Sequence, residues 1–213
     1  MNLLILESPG KVKKVQSILG VDWKVAASVG HVRDLPEREL GIALPDFTPA
    51  YTPTERGKDV LKRLAALVKD ASAVYLATDP DREGEAIAWH LMEVLKLDPD
   101  KTNRIVFHEI TKNAITHALE NPRVLDESSI NAQQARRLLD RIVGYKLSPL
   151  LSSKIQKGLS AGRVQSSTLK IVVDREKEIR AFKEEEFWSI DALFNKNIEA
   201  SLVTFKGDKI EKM

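Results

Sequence analysis

Cysteine is absent from the 213 residues, which excludes disulfides and every thiolate-ligated metal or cluster. No apolar run reaches the ~20 residues that a membrane-spanning helix needs. The opening Met1–Glu7 stretch turns acidic too soon for a secretory leader. An excess of either charge sign is also missing. Lys and Arg number 33 against 31 Asp and Glu, for a net charge of +2. With 43% hydrophobic residues, that balance argues against a disordered chain. The expected setting is the cytoplasm, away from membranes, and the length allows one or two domains.

What is present is unevenly placed. Residues 1–130 carry 17 basic and 20 acidic side chains, whereas residues 131–180 carry 11 basic and 4 acidic. A basic block of that size suits an anionic partner, and it equally suits a solvated helix surface.

Residues 2–6 are a short apolar run broken by Glu7-Ser8-Pro9-Gly10, which reads as a buried strand and a turn. Residues 11–19 have helical spacing, and 23–29 read as a second strand. Residues 33–54 hold four of the nine prolines and read as loop. Helix 55–68, strand 73–77, helix 84–97, strand 104–107 and helix 111–119 follow. Strands alternating with helices predict an α/β layer with a mostly parallel sheet. Residues 127–180 then read as helical with a break near Lys157-Gly158. Residues 187–206 read as a β-hairpin turning at Asn195-Lys196-Asn197.

The segment Asp79-Pro80-Asp81-Arg82-Glu83-Gly84-Glu85 leaves directly from an apolar strand. Open α/β sheets bind ligands beyond the carboxyl ends of their strands. Glu7 stands at an equivalent strand end, so Glu7, Asp79, Asp81 and Glu83 can converge if the two strands are neighbours. Two unit charges 4 Å apart repel by about 4 kcal/mol at an effective dielectric near 20. A cation removes that cost, and an all-oxygen donor set favours Mg²⁺, with Mn²⁺ or Ca²⁺ as substitutes. Phosphoryl transfer or phosphodiester cleavage suits such a site. The same run is also an ordinary acidic helix start, favoured by the helix dipole.

Glu7-Ser8-Pro9-Gly10-Lys11 places a hydroxyl and a cation at a helix N-terminus, where free N–H groups bind phosphate. It is not a Walker loop, because G-x-x-x-x-G-K-[ST] is missing. His31, in Gly30-His31-Val32-Arg33-Asp34-Leu35, can donate to a phosphate or relay a proton, or be merely exposed. His90, His108 and His117 share no metal-ligand spacing. Farther on, Arg137 and Arg141 are four apart and share a helix face, and Arg136 is placed to pair with Asp140. Gly158–Ser167 offers a Gly-Arg turn opening a helix, a set that can grip the phosphates and a base edge of single-stranded nucleic acid, or lie on a solvated surface.

Six motifs occur in one order: Glu7–Lys11, Gly30–Leu35, Ala77–His90, Phe107–Lys112, Asn131–Arg137 and Ser160–Ser166. Together they closely resemble the N-terminal part of the bacterial DNA topoisomerase I family, the type IA topoisomerases. The resemblance spans almost all of residues 1–190. It implies a Toprim domain (Rossmann-like) over 1–124, the first part of a helical single-stranded-DNA-binding domain over 125–181, and the start of an arch-forming β domain over 182–213. It implies that Asp79, Asp81 and Glu83, with Glu7, hold Mg²⁺. Glu7 would assist proton transfer at the scissile phosphodiester, with Lys11 on its phosphate and Arg82 among the catalytic residues. Arg137, Arg141, Arg163 and Gln165 would hold the strand upstream of the cut, alongside His31, Asp140 and Ser160.

One departure is large. The family's nucleophile is a tyrosine in a Tyr-x-Arg-Thr segment, and none of Tyr51, Tyr75 and Tyr145 lies in one. The chain therefore reads as an N-terminal fragment of an enzyme that relaxes negatively supercoiled DNA without ATP, in the nucleoid-associated cytoplasm of a bacterium. The loop between Leu35 and Glu55 is also shorter than the family often has. Two rival readings are a free-standing Toprim nuclease or primase-like enzyme, and a non-catalytic nucleic-acid-binding module.

Overall fold

The computed structural model describes residues 1–99 and 102–209. It divides into two compact units, Met1–Arg163 and Val164–Met213.

The first unit is built on four strands. These are β1 (Asn2–Leu6), β2 (Trp23–Ala27), β7 (Ala73–Ala77) and β8 (Thr102–Arg104). They pair in the order β2-β1-β7-β8, all parallel. Four of the five β1 residues are buried, because helices cover both sheet faces. Leu3 and Ile5 enter one core, with α2 (Glu55–Lys69) and α3 (Arg82–Leu95) packed over them. Leu4 and Leu6 enter the other, beneath α1 (Val12–Leu19) and α4 (Lys112–Glu120). The period-2 alternation of one apolar run thus builds both cores.

Residues 33–54, expected as loop, contain four two-residue strands. β3 (Arg33–Asp34) pairs with β6 (Thr52–Pro53), and β4 (Ile42–Ala43) with β5 (Thr48–Pro49). The third helix starts at Arg82 rather than Gly84, because Asp81 accepts from the Gly84 backbone N–H at 2.7 Å and caps it. Strand β8 ends at Arg104 rather than 107, where Arg104 bridges to Arg123.

After α4 the chain enters α5 (Glu127–Lys154), capped by Asp126 and carrying Pro149 inside it. The break expected near residue 157 falls between this helix and α6 (Arg163–Ala181). Among its described residues the second unit holds α6 from Val164 onward and two hairpins. β9 (Asp191–Phe194) and β10 (Ile198–Ser201) form the expected hairpin over residues 195–197. β11 (Thr204–Phe205) pairs with β12 (Asp208–Lys209). Among the described residues no helix is long and apolar enough to cross a membrane.

Candidate functional site

Strands β1 and β7 are parallel neighbours, with Leu6 opposite Ala77. Glu7 and the Thr78-Asp79 pair therefore leave the same sheet edge side by side. Burial, and then the charge of Asp79, hold the Glu7 carboxyl above the ordinary carboxylate range. Asp81 adds to that push, while a hydrogen bond from the Asp79 backbone N–H and the charge of Lys11 oppose it.

The loop from Asp79 into α3 is tightly held. Thr78 Oγ1 donates to the Gly84 carbonyl at 2.6 Å. A Cβ on Gly84 would sit 2.0 Å from the Asp79 carbonyl oxygen, so no larger residue fits without moving the loop. Beneath it lies Arg104, only 2% exposed. Its Nη1 donates to the carbonyls of Leu76, Thr78 and Ile105, and its Nη2 reaches the Asp79 carbonyl at 3.0 Å. Its Nε donates to Glu85 Oε2 at 3.0 Å. Glu85 is 1% exposed and also accepts from Arg123 and from the backbone N–H of Asp126, just before α5. A buried charge needs this many partners. Arg104 and Glu85 were missed from sequence. Glu85 lay within the acidic run, and Arg104 looked like an ordinary strand residue.

The expected gathering of Glu7, Asp79, Asp81 and Glu83 is only partial. Among the described residues no group of three or more His, Cys, Asp or Glu side chains is set to hold an ion. Each carboxylate has taken a nearer donor. Lys11 Nζ lies 2.6 Å from Asp79 Oδ1. Asp81 caps α3. Glu83 Oε2 meets His31 Nε2 and Gln133 Nε2, each at 3.1 Å. Arg82 is exposed in the first turn of α3. Lys11 and Asp79 also line a cavity of about 210 Å³ with Thr78, Phe107, His108 and Glu109.

The basic face of α5 is turned to the loop after β2. Arg137 binds Asp34 through two hydrogen bonds, Nε to Oδ1 at 2.9 Å and Nη2 to Oδ2. Arg141 donates to the Leu35 carbonyl at 3.1 Å and to Tyr145 OH, which donates to the Glu37 carbonyl. Asp140 accepts from Arg163 Nε at 2.7 Å and stands 3.9 Å from Arg136. Ser160 is exposed, and Gln165 belongs to the second unit, in the first turn of α6. A polar cavity of about 210 Å³ lies between α5 and this loop, lined by His31, Asp34, Tyr51, Glu83, Gln133 and Arg136 among others. Tyr51 OH and Gln133 Oε1 are buried there with no hydrogen-bond partner among the described residues.

Behind His31, the Arg33 guanidinium lies 4.9 Å from the Trp89 ring centroid and 5.3 Å from that of Tyr51. Its Nε donates to His90 Nδ1 at 2.5 Å. Burial, followed by the charges of Arg33 and His31, pushes the His90 imidazole down to about 3. It is neutral at any physiological pH.

The geometry has close counterparts. A family model described as the Toprim domain matches residues 2–110, and one described as DNA topoisomerase matches residues 124–212. DNA topoisomerase 1 of Campylobacter jejuni is 58% identical over 214 residues, covering 100% of this chain and 31% of the relative. DNA topoisomerase 1 of Helicobacter pylori strain J99 is 52% identical over 212 residues, covering 99% and 29%. The solved structure of full-length topoisomerase I from Thermotoga maritima is similar at a TM-score of 0.84 and 43% identity, covering 98% of this chain and 36% of that one. The chain thus spans less than a third of the length of these curated relatives.

Proposed function

We propose, for a chain that belongs to the Toprim-bearing type IA DNA topoisomerase family, that it supplies the cation site and part of the strand groove of an enzyme that relaxes negatively supercoiled DNA. The observation that carries this reading is the shared exit of Glu7 and Asp79 from adjacent parallel strands, over a loop fixed by Arg104.

The donor set fits a small divalent cation. Glu7, Asp79, Asp81 and Glu83 offer oxygen only, and the Glu7 carboxyl already feels the like charges of Asp79 and Asp81. We assign Mg²⁺ to Asp79, Asp81 and Glu83 with Glu7. When bound, it would neutralise the anionic charge of a phosphodiester. Lys11 and the exposed Arg82 are assigned to a phosphate oxygen, as cations near the same strand ends. Glu7, held above the ordinary carboxylate range, is suited to hold or release a proton at a leaving oxygen. Arg163, Gln165, Arg137, Arg141, Asp140, Ser160 and His31 are assigned to the single strand. Arg137 and Arg141 act by fixing the 34–37 loop, since their guanidinium groups are already bound to it.

The Toprim domain is placed at 1–124, the helical strand-binding part at 125–181 and the start of the β domain at 182–213. The family-model matches to 2–110 and 124–212 support the first boundary. The nucleophilic tyrosine is assigned to polypeptide outside these 213 residues, because Tyr75 is built into β7, Tyr145 binds the 34–37 loop and Tyr51 packs on Arg33. ATP has no place in this reading, for want of a Walker loop.

A supercoiled-plasmid assay tests it. The pure chain is expected to bind single-stranded DNA weakly and to relax nothing. Relaxation by the chain alone overturns the assignment. Metal-dependent nicking that disappears in Glu7→Gln favours a nuclease instead.

A further inference from the structure

We propose that Gln133 is a positioning residue of the cation site, fixing the carboxylate of Glu83 from the neighbouring helix. The inference rests on the reading of Glu83 as a cation ligand.

Gln133 is 6% exposed on α5, and Glu83 stands in the first turn of α3 with its side chain about half exposed. An ionised carboxylate only accepts hydrogen bonds. The amide of Gln133 therefore has one allowed orientation, Nε2 toward Glu83 and Oε1 away from it. That orientation leaves Gln133 Oε1 buried without a donor. A lone buried amide oxygen is unfavourable, so packing alone would not select a glutamine here. The compensating contact is the 3.1 Å bond to Glu83 Oε2. His31 Nε2 meets that same oxygen at 3.1 Å. Two groups from two separate parts of the chain thus hold Oε2, and among the described residues no hydrogen bond is made to Glu83 Oε1. A carboxylate held by one oxygen presents the other in a fixed direction, which lowers the ordering cost of binding a cation.

The test is Mn²⁺ binding to the 213-residue chain, followed by the loss of the free-ion paramagnetic resonance signal. Gln133→Met keeps the length and helix preference of the side chain and removes the donor. Gln134→Met makes the same change one residue along, away from Glu83. Loss of such a supporting contact typically weakens metal affinity 10–100-fold. We expect Gln133→Met to raise the Mn²⁺ dissociation constant about tenfold. Gln134→Met should leave it unchanged, and the cation-free melting temperatures of the two variants should match. An unchanged dissociation constant in folded Gln133→Met overturns the inference, and so does an equal loss in Gln134→Met. Gln133→Leu serves if the Met variant does not fold. Wild-type chain that takes up no Mn²⁺ overturns the cation-site reading itself, and this inference falls with it. Wild-type binding that Gln133→Met leaves intact removes this inference alone.

Discussion

Lys11 Nζ lies 2.6 Å from Asp79 Oδ1, an ion pair between the turn that opens α1 and the loop that follows β7. The ammonium sits on one of the oxygens that the proposed cation would use. The two side chains are 36% and 45% exposed, so the pair is worth no more than an exposed one, about 0.2–1 kcal/mol. Lys11→Met should therefore tighten Mn²⁺ binding by up to about fivefold, because a competing internal cation is gone. The same change should weaken binding of a single-stranded oligonucleotide. Both are read by titration of the purified chain. An Mn²⁺ affinity that falls in Lys11→Met would mean that the lysine does not compete with the metal.

Much of this arrangement was legible in the chain, and the limits have physical causes. The buried strands showed themselves because β1 and β7 are covered on both faces and so read as unbroken apolar runs. Their adjacency could be inferred but not proved, since periodicity carries no information about which strands pair. Glu7, Lys11 and the Asp79–Glu83 run were visible as chemistry at strand ends. Their current partners were not visible, because the 68-residue separation of Lys11 from Asp79 leaves no local pattern. Arg137 shows the same limit from the other side. A basic residue on a helix face suggests an anionic ligand, yet its partner is Asp34, 103 residues away. Arg104 was hidden for a different reason. A charged residue in a strand is normally solvent-facing, and only the fold reveals that five nearby acceptors surround this one.

His90 gives the protein a specific acid sensitivity. Its folded value of about 3 lies well below the 6.5 of a free imidazole. Burial is the largest cause, the charges of Arg33 and His31 push the same way, and Asp34 alone opposes them. As pH falls below about 6.5 the unfolded chain takes up a proton that the folded chain refuses. This contribution to stability is therefore complete above about 6.5 and is lost progressively toward pH 3, at up to about 1.4 kcal/mol per pH unit. Urea midpoints measured between pH 7 and pH 5 should decline. His90→Asn retains an acceptor for Arg33 and cannot titrate, so its midpoints should decline less over that interval. Parallel declines in the two proteins would place the acid sensitivity elsewhere.

Salt dependence separates the proposed strand groove from a merely solvated basic surface. A groove that contacts about four phosphates of a single strand should lose affinity with a slope near −3 in log K against log salt. A surface that only attracts counterions binds no oligonucleotide worth titrating. Arg163 opens α6 and donates to Asp140 on α5, so its charge stands among the residues assigned to the strand. Lys196 stands in the turn of the β9–β10 hairpin, outside that set. Arg163→Ala should thus weaken oligonucleotide binding and flatten the slope by about one phosphate contact, roughly 0.7. Lys196→Ala should leave both nearly unchanged. Fluorescence anisotropy of a labelled single strand, read at several salt concentrations, measures the two quantities together. Equal losses in the two variants would reduce the effect to net charge, and a salt-independent affinity would remove the groove from residues 125–181.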